Sequence, residues 1–434
     1  MLFRSTDTTG ETLTSITISD VPSGATLSAG TNNGNGTWTL TPAQLTNLSI
    51  TPAANSDADF TLKVSATSSE DGTTATSAQV NLAVTVNAVA DTPTVTVQAA
   101  SGNEDTAISL NIGTALTDTD GSESITAITI TGIPNGATLT GGTNNGAITV
   151  TNGSATLTPA QLTNLKITPS ANNADDFTLK VTATSTETAG GSATSSQVNL
   201  SVTVNAVADT PVVTVQAATG NEDSAIPLNI TTAVTDGTET ISAITISDIP
   251  AGATLTGGTN NGAITVTNGV AVLTPAQLTN LRITPPANSD VDFTLKVSAT
   301  STEEGSSASS TPINLSVVVN GVADTPAVTV TAAAGNEDTA ISLNISAALT
   351  DTVGETLSSI TISDVPSGAT LSAGTNNGNG SWTLTPAQLT GLKITPALND
   401  STDFTLKVSA TSTEGNTSAT SAQVNLAVTV NGVA

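Results

Sequence analysis

The side chains that could do chemistry and that recur at fixed places in this sequence are carboxylates, in four groups. One Asp stands in the middle of each Val-Ala-Asp-Thr-Pro phrase, at Asp91, Asp209 and Asp324. A Glu-Asp pair follows thirteen residues later, at Glu104 and Asp105, Glu222 and Asp223, Glu337 and Asp338. A third group precedes an Ile-rich stretch: Asp7 and Glu11, then Asp118, Asp120 and Glu123, then Asp236 and Glu239, then Asp351 and Glu355. The fourth precedes Phe-Thr-Leu-Lys: Asp57 and Asp59, Asp175 and Asp176, Asp290 and Asp292, Asp400 and Asp403. Oxygen sets of this kind suit calcium, which takes about six to eight oxygens in flexible geometry. Brought together at loop ends, such acids would repel by several kcal/mol, and a divalent cation would turn that repulsion into a cross-link. The competing reading makes each acid a solvated turn residue or cap. Recurrence alone does not separate the two, because duplication preserves everything.

The rest of the composition narrows the chemistry further. There is no His and no Cys, which removes zinc, haem and most transition-metal sites and leaves no disulfide to brace small domains. An enzyme has almost no material here: a Ser or Thr nucleophile lacks a His base, and four of the six Lys sit on the repeated Phe-Thr-Leu-Lys. Paired carboxylates could serve a glycosidase, but they recur in every copy without aromatic residues to line a sugar cleft. With 35 acidic against 8 basic residues the formal net charge is −27. Nucleic acid and anionic membrane surfaces are therefore poor partners. No apolar run reaches the length of a membrane helix, and the first residues lack the apolar stretch of a signal peptide.

These acids must be positioned by a domain-sized repeat. Thr-Pro-Ala-Gln-Leu begins at Thr41, Thr158, Thr274 and Thr385, and Asp-Phe-Thr-Leu-Lys-Val places its Phe at Phe60, Phe177, Phe293 and Phe404. The boundaries fall at 1–90, 91–208, 209–323 and 324–434. Residues from position 7 match those from position 351 almost word for word, so the first copy lacks the opening segment of the others, Met1 to Ser5 read as a vector scar or a miscalled start, and the whole reads as a fragment of something longer. That copy is expected to have an exposed edge and the lowest stability. Within a copy the pattern is β: Thr94–Val97, Ile108–Ile112, Ile125–Ile130, Ala147–Val150, Leu165–Thr168, Phe177–Thr184 and Gln197–Val204 alternate as about seven strands. Thr-Pro-Ala-Gln-Leu predicts one helical turn with a Thr cap and Pro at the first position. Cores must be built from Val, Ile, Leu and Ala, since aromatics are only 2%. The expected fold is all-β: a tandem array of four antiparallel Greek-key sandwiches, the first truncated.

The run Glu104-Asp105-Thr106, Asp118-Thr119-Asp120-Gly121, Asp176-Phe177-Thr178-Leu179-Lys180 and Asp209-Thr210-Pro211 resembles a cadherin-type module. More closely, it is similar to the cadherin-like or bacterial Ig-like repeats of giant type I-secreted repeats-in-toxin adhesins. The resemblance covers essentially the whole chain. It implies calcium at module junctions stiffening a rod that projects an adhesive tip, and hence an extender of a secreted bacterial surface protein. It also implies a monomeric rod, neighbouring modules as partners, and a role in adhesion or biofilm formation. Carried over, Glu104 and Asp105 match the acidic pair, Asp118 and Asp120 the DxD loop, and Asp209 the linker acid. By repetition the expected ligand set extends to Glu123, Asp176, Glu222, Asp223, Asp236, Glu239, Asp292, Asp324, Glu337, Asp338 and Asp351. The linker carries one carboxylate where cadherins carry more, and only the second copy has a complete DxDG, so fewer or weaker calcium ions are implied. The alternative is an adhesive module that binds glycan or ice through Thr-rich strands or through Trp38 and Trp382, which the sequence otherwise gives to the core.

Overall fold

In the computed structural model, residues 9–433 are described, and every regular element among them is a β-strand or a single 3-10 turn. The foreign-start reading of Met1 to Ser5 and the candidate Asp7 lie outside the described residues. Alternating Thr-Ile and Thr-Val stretches form strands because β-branched side chains pack well on a pleated surface with one face buried. Their apolar faces assemble into four separate cores, around Ile16–Leu62, Ile108–Val204, Ala218–Val319 and Ile341–Val430. The architecture is a tandem array of all-β sandwiches. Contacts group the chain into two compact units, Met1–Ala206 and Val207–Ala434, each holding two of these cores.

In the fourth sandwich one sheet runs in the order 333–336, 424–431, 404–414, 356–363, 381–384, 375–378. A facing sheet holds 341–342, 393–395 and 370–371, and a separate pair joins 327–331 to 344–348. The longest strand, Phe404–Glu414, is central and places Leu406, Val408 and Ala410 in the core. The four Thr-Pro-Ala-Gln-Leu motifs each make the expected turn: the N–H of Thr385, for example, donates to Gln388 Oε1 at 2.8 Å. Trp38 is buried in the first core and Trp382 is half-buried against the fourth.

Two features depart from the sequence reading. The second sandwich has more, shorter strands than the seven expected, among them Thr138–Gly141, Ser154–Leu157 and Ser192–Thr194. The opening strand also breaks at Ala99: Thr94–Gln98 pairs antiparallel with Asn111–Ala115, whereas Ala100–Asn103 pairs parallel with Val202–Asn205. The chain thereby switches partners within one extended segment, and the sandwich is not purely antiparallel. Every copy with an opening segment repeats this switch.

Candidate metal centre

The junction between the third and fourth sandwiches lies within one unit and shows how the acids are held. Strand Ala218–Asn221 pairs parallel with the third sandwich's closing strand, Ile313–Asn320, which leaves Glu222 beside the linker that follows Asn320. Three consecutive linker N–H groups are then captured by side chains. Val322 N–H donates to Glu222 Oε1 at 2.7 Å, Ala323 N–H to Thr417 Oγ1 at 2.6 Å, and Asp324 N–H to Glu355 Oε1 at 2.6 Å. The first of these acceptors belongs to the sandwich before the linker and the other two to the sandwich after it. Ser412 Oγ adds a bond to the Asp324 carbonyl at 2.6 Å.

Each clamping acid spends one oxygen on the linker and leaves the other buried without a partner: Glu222 Oε2 and Glu355 Oε2. Asp351, only 2% exposed, likewise accepts Val353 N–H through Oδ1 at 2.7 Å and leaves Oδ2 unpartnered. Glu414, 3% exposed at the end of the long strand, receives no bond from an N–H or hydroxyl donor; it meets the carboxyl group of Glu222, with which it can share a proton. Carboxylate oxygens of Glu222, Asp351 and Glu414 lie within 4.8 Å of one another. That spacing is about twice a calcium–oxygen distance, as ligands around one ion require. Buried acceptors without partners cost about 1–3 kcal/mol each, more when charged. Such oxygens on Glu222, Asp351 and Glu414 fit a cation whose coordination would satisfy them. The half-buried Asp324 and Asp290 flank the cluster.

The same crowding shows in the protonation of these acids. Burial, then the charge and hydrogen bond of Glu222, then Asp351 and Asp290, push Glu414 up to about 7. Glu222 is raised by burial, partly offset by the Val322 N–H. Asp324 is raised by burial and by the charges of Asp223, Glu355 and Asp351. Space for Glu414 is made by glycine. A Cβ at Gly321 would strike Glu414 Oε1, and one at Gly354, whose φ is +73°, would lie 2.7 Å from that oxygen and 3.1 Å from Asp290 Oδ2.

The junction between the first and second sandwiches is a leaner version. Asp91 N–H donates to Glu123 Oε1 at 2.7 Å and Ser185 Oγ donates to the Asp91 carbonyl at 2.6 Å. Asn55, Asp57, Asp91, Asp118 and Glu187 line one pocket there. Burial raises Glu187, Ser122 lowers it, and Asp57, Glu123 and Asp118 raise it further. Ala88 stands where the third copy has Gly321.

The remaining expected ligands divide by what already holds them. Asp105, Asp223 and Asp338 are exposed, and each accepts the backbone N–H of an Asn in the opposite loop (Asn172, Asn288 and Asn399) at 2.9 Å. Asp176 and Asp292 each accept the N–H of a closing-strand valine, Val204 and Val319, at 2.8 Å. Asp118 accepts Asp120 N–H at 2.8 Å, and exposed Asp120 is lowered by its bonds from Ser122. Glu104 and Asp236 are buried; Asp236 accepts Thr238 N–H at 3.0 Å, and Glu239 accepts Asp209 N–H. Asp209 also accepts Thr235 Oγ1 at 3.2 Å, and Glu337 accepts Val433 N–H at 2.8 Å. Sequence reasoning missed Glu187, Glu303 and Glu414, all buried. The available signal was alternation: each lies ten residues after the repeated Phe, on the same strand face as Leu, Val, Ala and Ser, where a charge is out of place.

No protein-family model matches the chain, and no curated protein matches it. Among solved structures, mouse cadherin-23 EC22-24 aligns at 12% identity and a TM-score of 0.35, over 79% of this chain and 99% of that one. Drosophila N-cadherin EC1-4 aligns at 13% identity and 0.27, over 99% and 94%. The D00-D0 domain of intimin aligns at 16% identity and 0.25, over 50% and 99%. At these scores the alignments carry no residue assignments, and the site rests on its own atoms.

Proposed function

We propose that the chain is a structural extender built of four modules, 1–90, 91–208, 209–323 and 324–434, whose junctions are locked by calcium. The observation that carries this is the Glu222, Asp351 and Glu414 cluster, drawn from both sides of one linker, with its buried oxygens unsatisfied. Calcium would be held by these three acids, with Glu355 and Asp324 beside them, and would neutralise charge that otherwise pushes the two sandwiches apart. The three clamped N–H groups already restrict the linker, so a cation there adds stiffness rather than affinity for a second molecule. This suits a secreted bacterial surface adhesin that must hold a tip away from the cell, with the acidic surface keeping a long extracellular chain soluble. Among the described residues no helix is long and apolar enough to cross a membrane. Trp38 is buried in its core, whereas Trp382 is half-buried against its core and also lines a surface pocket with Asp364, Asn376 and Asn379.

The test is small-angle scattering of the full chain with calcium and with excess chelator, paired with calorimetry. The expected result is calcium binding and a longer, stiffer particle in calcium. Superimposable scattering curves with no heat of binding would remove both the calcium and the stiffening. In that case the chain would be an acidic sandwich array with no metal-dependent mechanics.

A further inference from the structure

A pocket of about 540 Å³ opens on the fourth sandwich, between the loop 364–369 and the hairpin that joins Thr375–Gly378 to Ser381–Leu384. Its volume falls among those of small-ligand sites, about 300–1,000 Å³. Trp382, Asp364, Ser367, Asn376 and Asn379 line it. The two walls are tied together, since Val365 N–H donates to the Gly380 carbonyl at 3.0 Å. Only glycine allows that approach, because a Cβ at Gly380 would lie 2.8 Å from the Val365 carbonyl oxygen. Within the hairpin, Gly378 N–H donates to Asn376 Oδ1 and Asn377 Nδ2 donates to Thr383 Oγ1, both at 2.8 Å. Asn379 and Gly380 take the left-handed backbone of a tight hairpin turn, with φ of 52° and 72°. Lys407 Nζ holds Asp364 Oδ2 at 3.0 Å. The lining is therefore fixed before any ligand arrives, which lowers the cost of binding. The ring itself marks this copy. Trp382 stands opposite Ile362, where the second and third sandwiches place Ala155 opposite Ile130 and Ala271 opposite Ile246. Those alanines are buried, and Ile148 or Ile264, from a longer connection, joins the core there. Trp382 instead packs on its core while remaining half-buried in the pocket wall.

We propose that this pocket binds a neutral carbohydrate, a hexose or N-acetylhexosamine unit of a glycan. A pyranose has an apolar C–H face that stacks on an aromatic ring and a rim of hydroxyls that pair with carboxylates and carboxamides. Trp382 supplies the ring, and Asp364, Asn376 and Asn379 supply the polar partners. Asn376 has its Oδ1 occupied by Gly378, so it meets the sugar as a donor through Nδ2. Asp364 has Oδ2 on Lys407, which leaves Oδ1 to accept. Charge selects against acidic sugars: the ionisable group in the lining is the Asp364 carboxylate, and the chain carries a net charge of −27. The first sandwich carries the same residues around Trp38, but that ring is only 9% exposed, so one site per chain is expected. An extender with such a site grips a glycan along its length as well as spanning a distance. This inference does not depend on calcium.

The experiment titrates the full chain, in chelator, with cellobiose, lactose, maltose and N,N′-diacetylchitobiose, and follows tryptophan fluorescence and calorimetry. The sequence has two Trp and no Tyr, so a change in emission reports on Trp38 or Trp382. Saturable one-to-one binding of at least one of the four sugars is expected, with a shift in emission. Asn379→Gly keeps the left-handed turn and removes the carboxamide, and Trp382→Leu keeps an apolar side chain for the core and removes the ring. Each should weaken binding about tenfold or more. No saturable binding by any of the four sugars, or binding that either variant leaves at wild-type strength, would overturn the proposal.

Discussion

In chelator, raising the pH from about 4.5 to about 8 is expected to destabilise the junction between the third and fourth sandwiches by ~3 kcal/mol. The working group is Glu414, which burial and its acidic neighbours push from an ordinary 4.5 up to about 7. Between those values the folded junction holds a proton that the unfolded chain has released. The folded state then binds more protons, so stability falls as pH rises through the window and levels off above about 7. Glu222 and Glu414 contact each other, so the proton belongs to the pair, and the ~3 kcal/mol describes the pair as a unit. Calcium bound at this junction would reverse the sign, because it would bind the ionised form. At a free concentration about a hundred times its dissociation constant it would restore roughly 2.7 kcal/mol. The amides of Val322, Ala323 and Asp324 report this directly, since their bonds to Glu222, Thr417 and Glu355 break when the junction opens. Their opening free energies, from exchange corrected for the intrinsic pH dependence, should fall with pH in chelator and stay flat or rise in calcium. Glu414→Gln should flatten the chelator profile and weaken the calcium response together. If the wild-type amides open no more easily at pH 8 than at 4.5 without calcium, the buried-carboxylate reasoning is wrong.

Three further outcomes follow from the same geometry. Gly321→Ala puts a methyl group against Glu414 Oε1 and should lower calcium affinity at that junction about tenfold or more, measured by calorimetry, with little change in far-UV dichroism. Leu426→Ala should cost about 2–5 kcal/mol in denaturant unfolding and Leu82→Ala less than about 1, because the first is fully buried and the second is half exposed. Equal costs would mean that the first core is closed in solution. Asp292→Ala removes the acceptor of Val319 N–H and should cost about 1–3 kcal/mol of stability while leaving the calcium stoichiometry unchanged. Loss of a bound ion would move Asp292 from a backbone anchor to a ligand.

Much of the fold was legible because β-branched alternation and repeated punctuation are local signals. The capped turn at each Thr-Pro-Ala-Gln-Leu followed from a Thr cap and a Pro in the first position. The break at Ala99 was not legible, because the partner of Ala100–Asn103 lies a whole copy away in sequence, at Val202–Asn205. A pair of identical eight-residue segments makes the limit concrete. No reading of Val-Asn-Leu-Ala-Val-Thr-Val-Asn alone could give a strand of five residues at 80–84 and of eight at 424–431, since Ala333–Asn336, which pairs along the second, has no counterpart among the described residues of the first sandwich.

The acids divide along the same line. Their recurrence marked a site, but recurrence does not say which oxygen is already taken. Asp105, Asp176, Asp223, Asp292 and Asp338 repeat as faithfully as Glu222 and Asp351, yet each uses an oxygen to fix a backbone N–H in a loop or closing strand. Glu222 does both tasks at once, one oxygen on the linker and the other in the cluster, while Glu355 holds the linker and leaves its other oxygen buried without a partner. Glu414 does only the second, and like Glu187 and Glu303 it could have been found from its place in the alternation. A carboxylate on the apolar face of Phe404–Glu414, with glycines at 321 and 354 leaving room for it, has no reason to stay charged unless a cation meets it there. An acidic junction built only to repel would have left that residue on the solvent face, one position away.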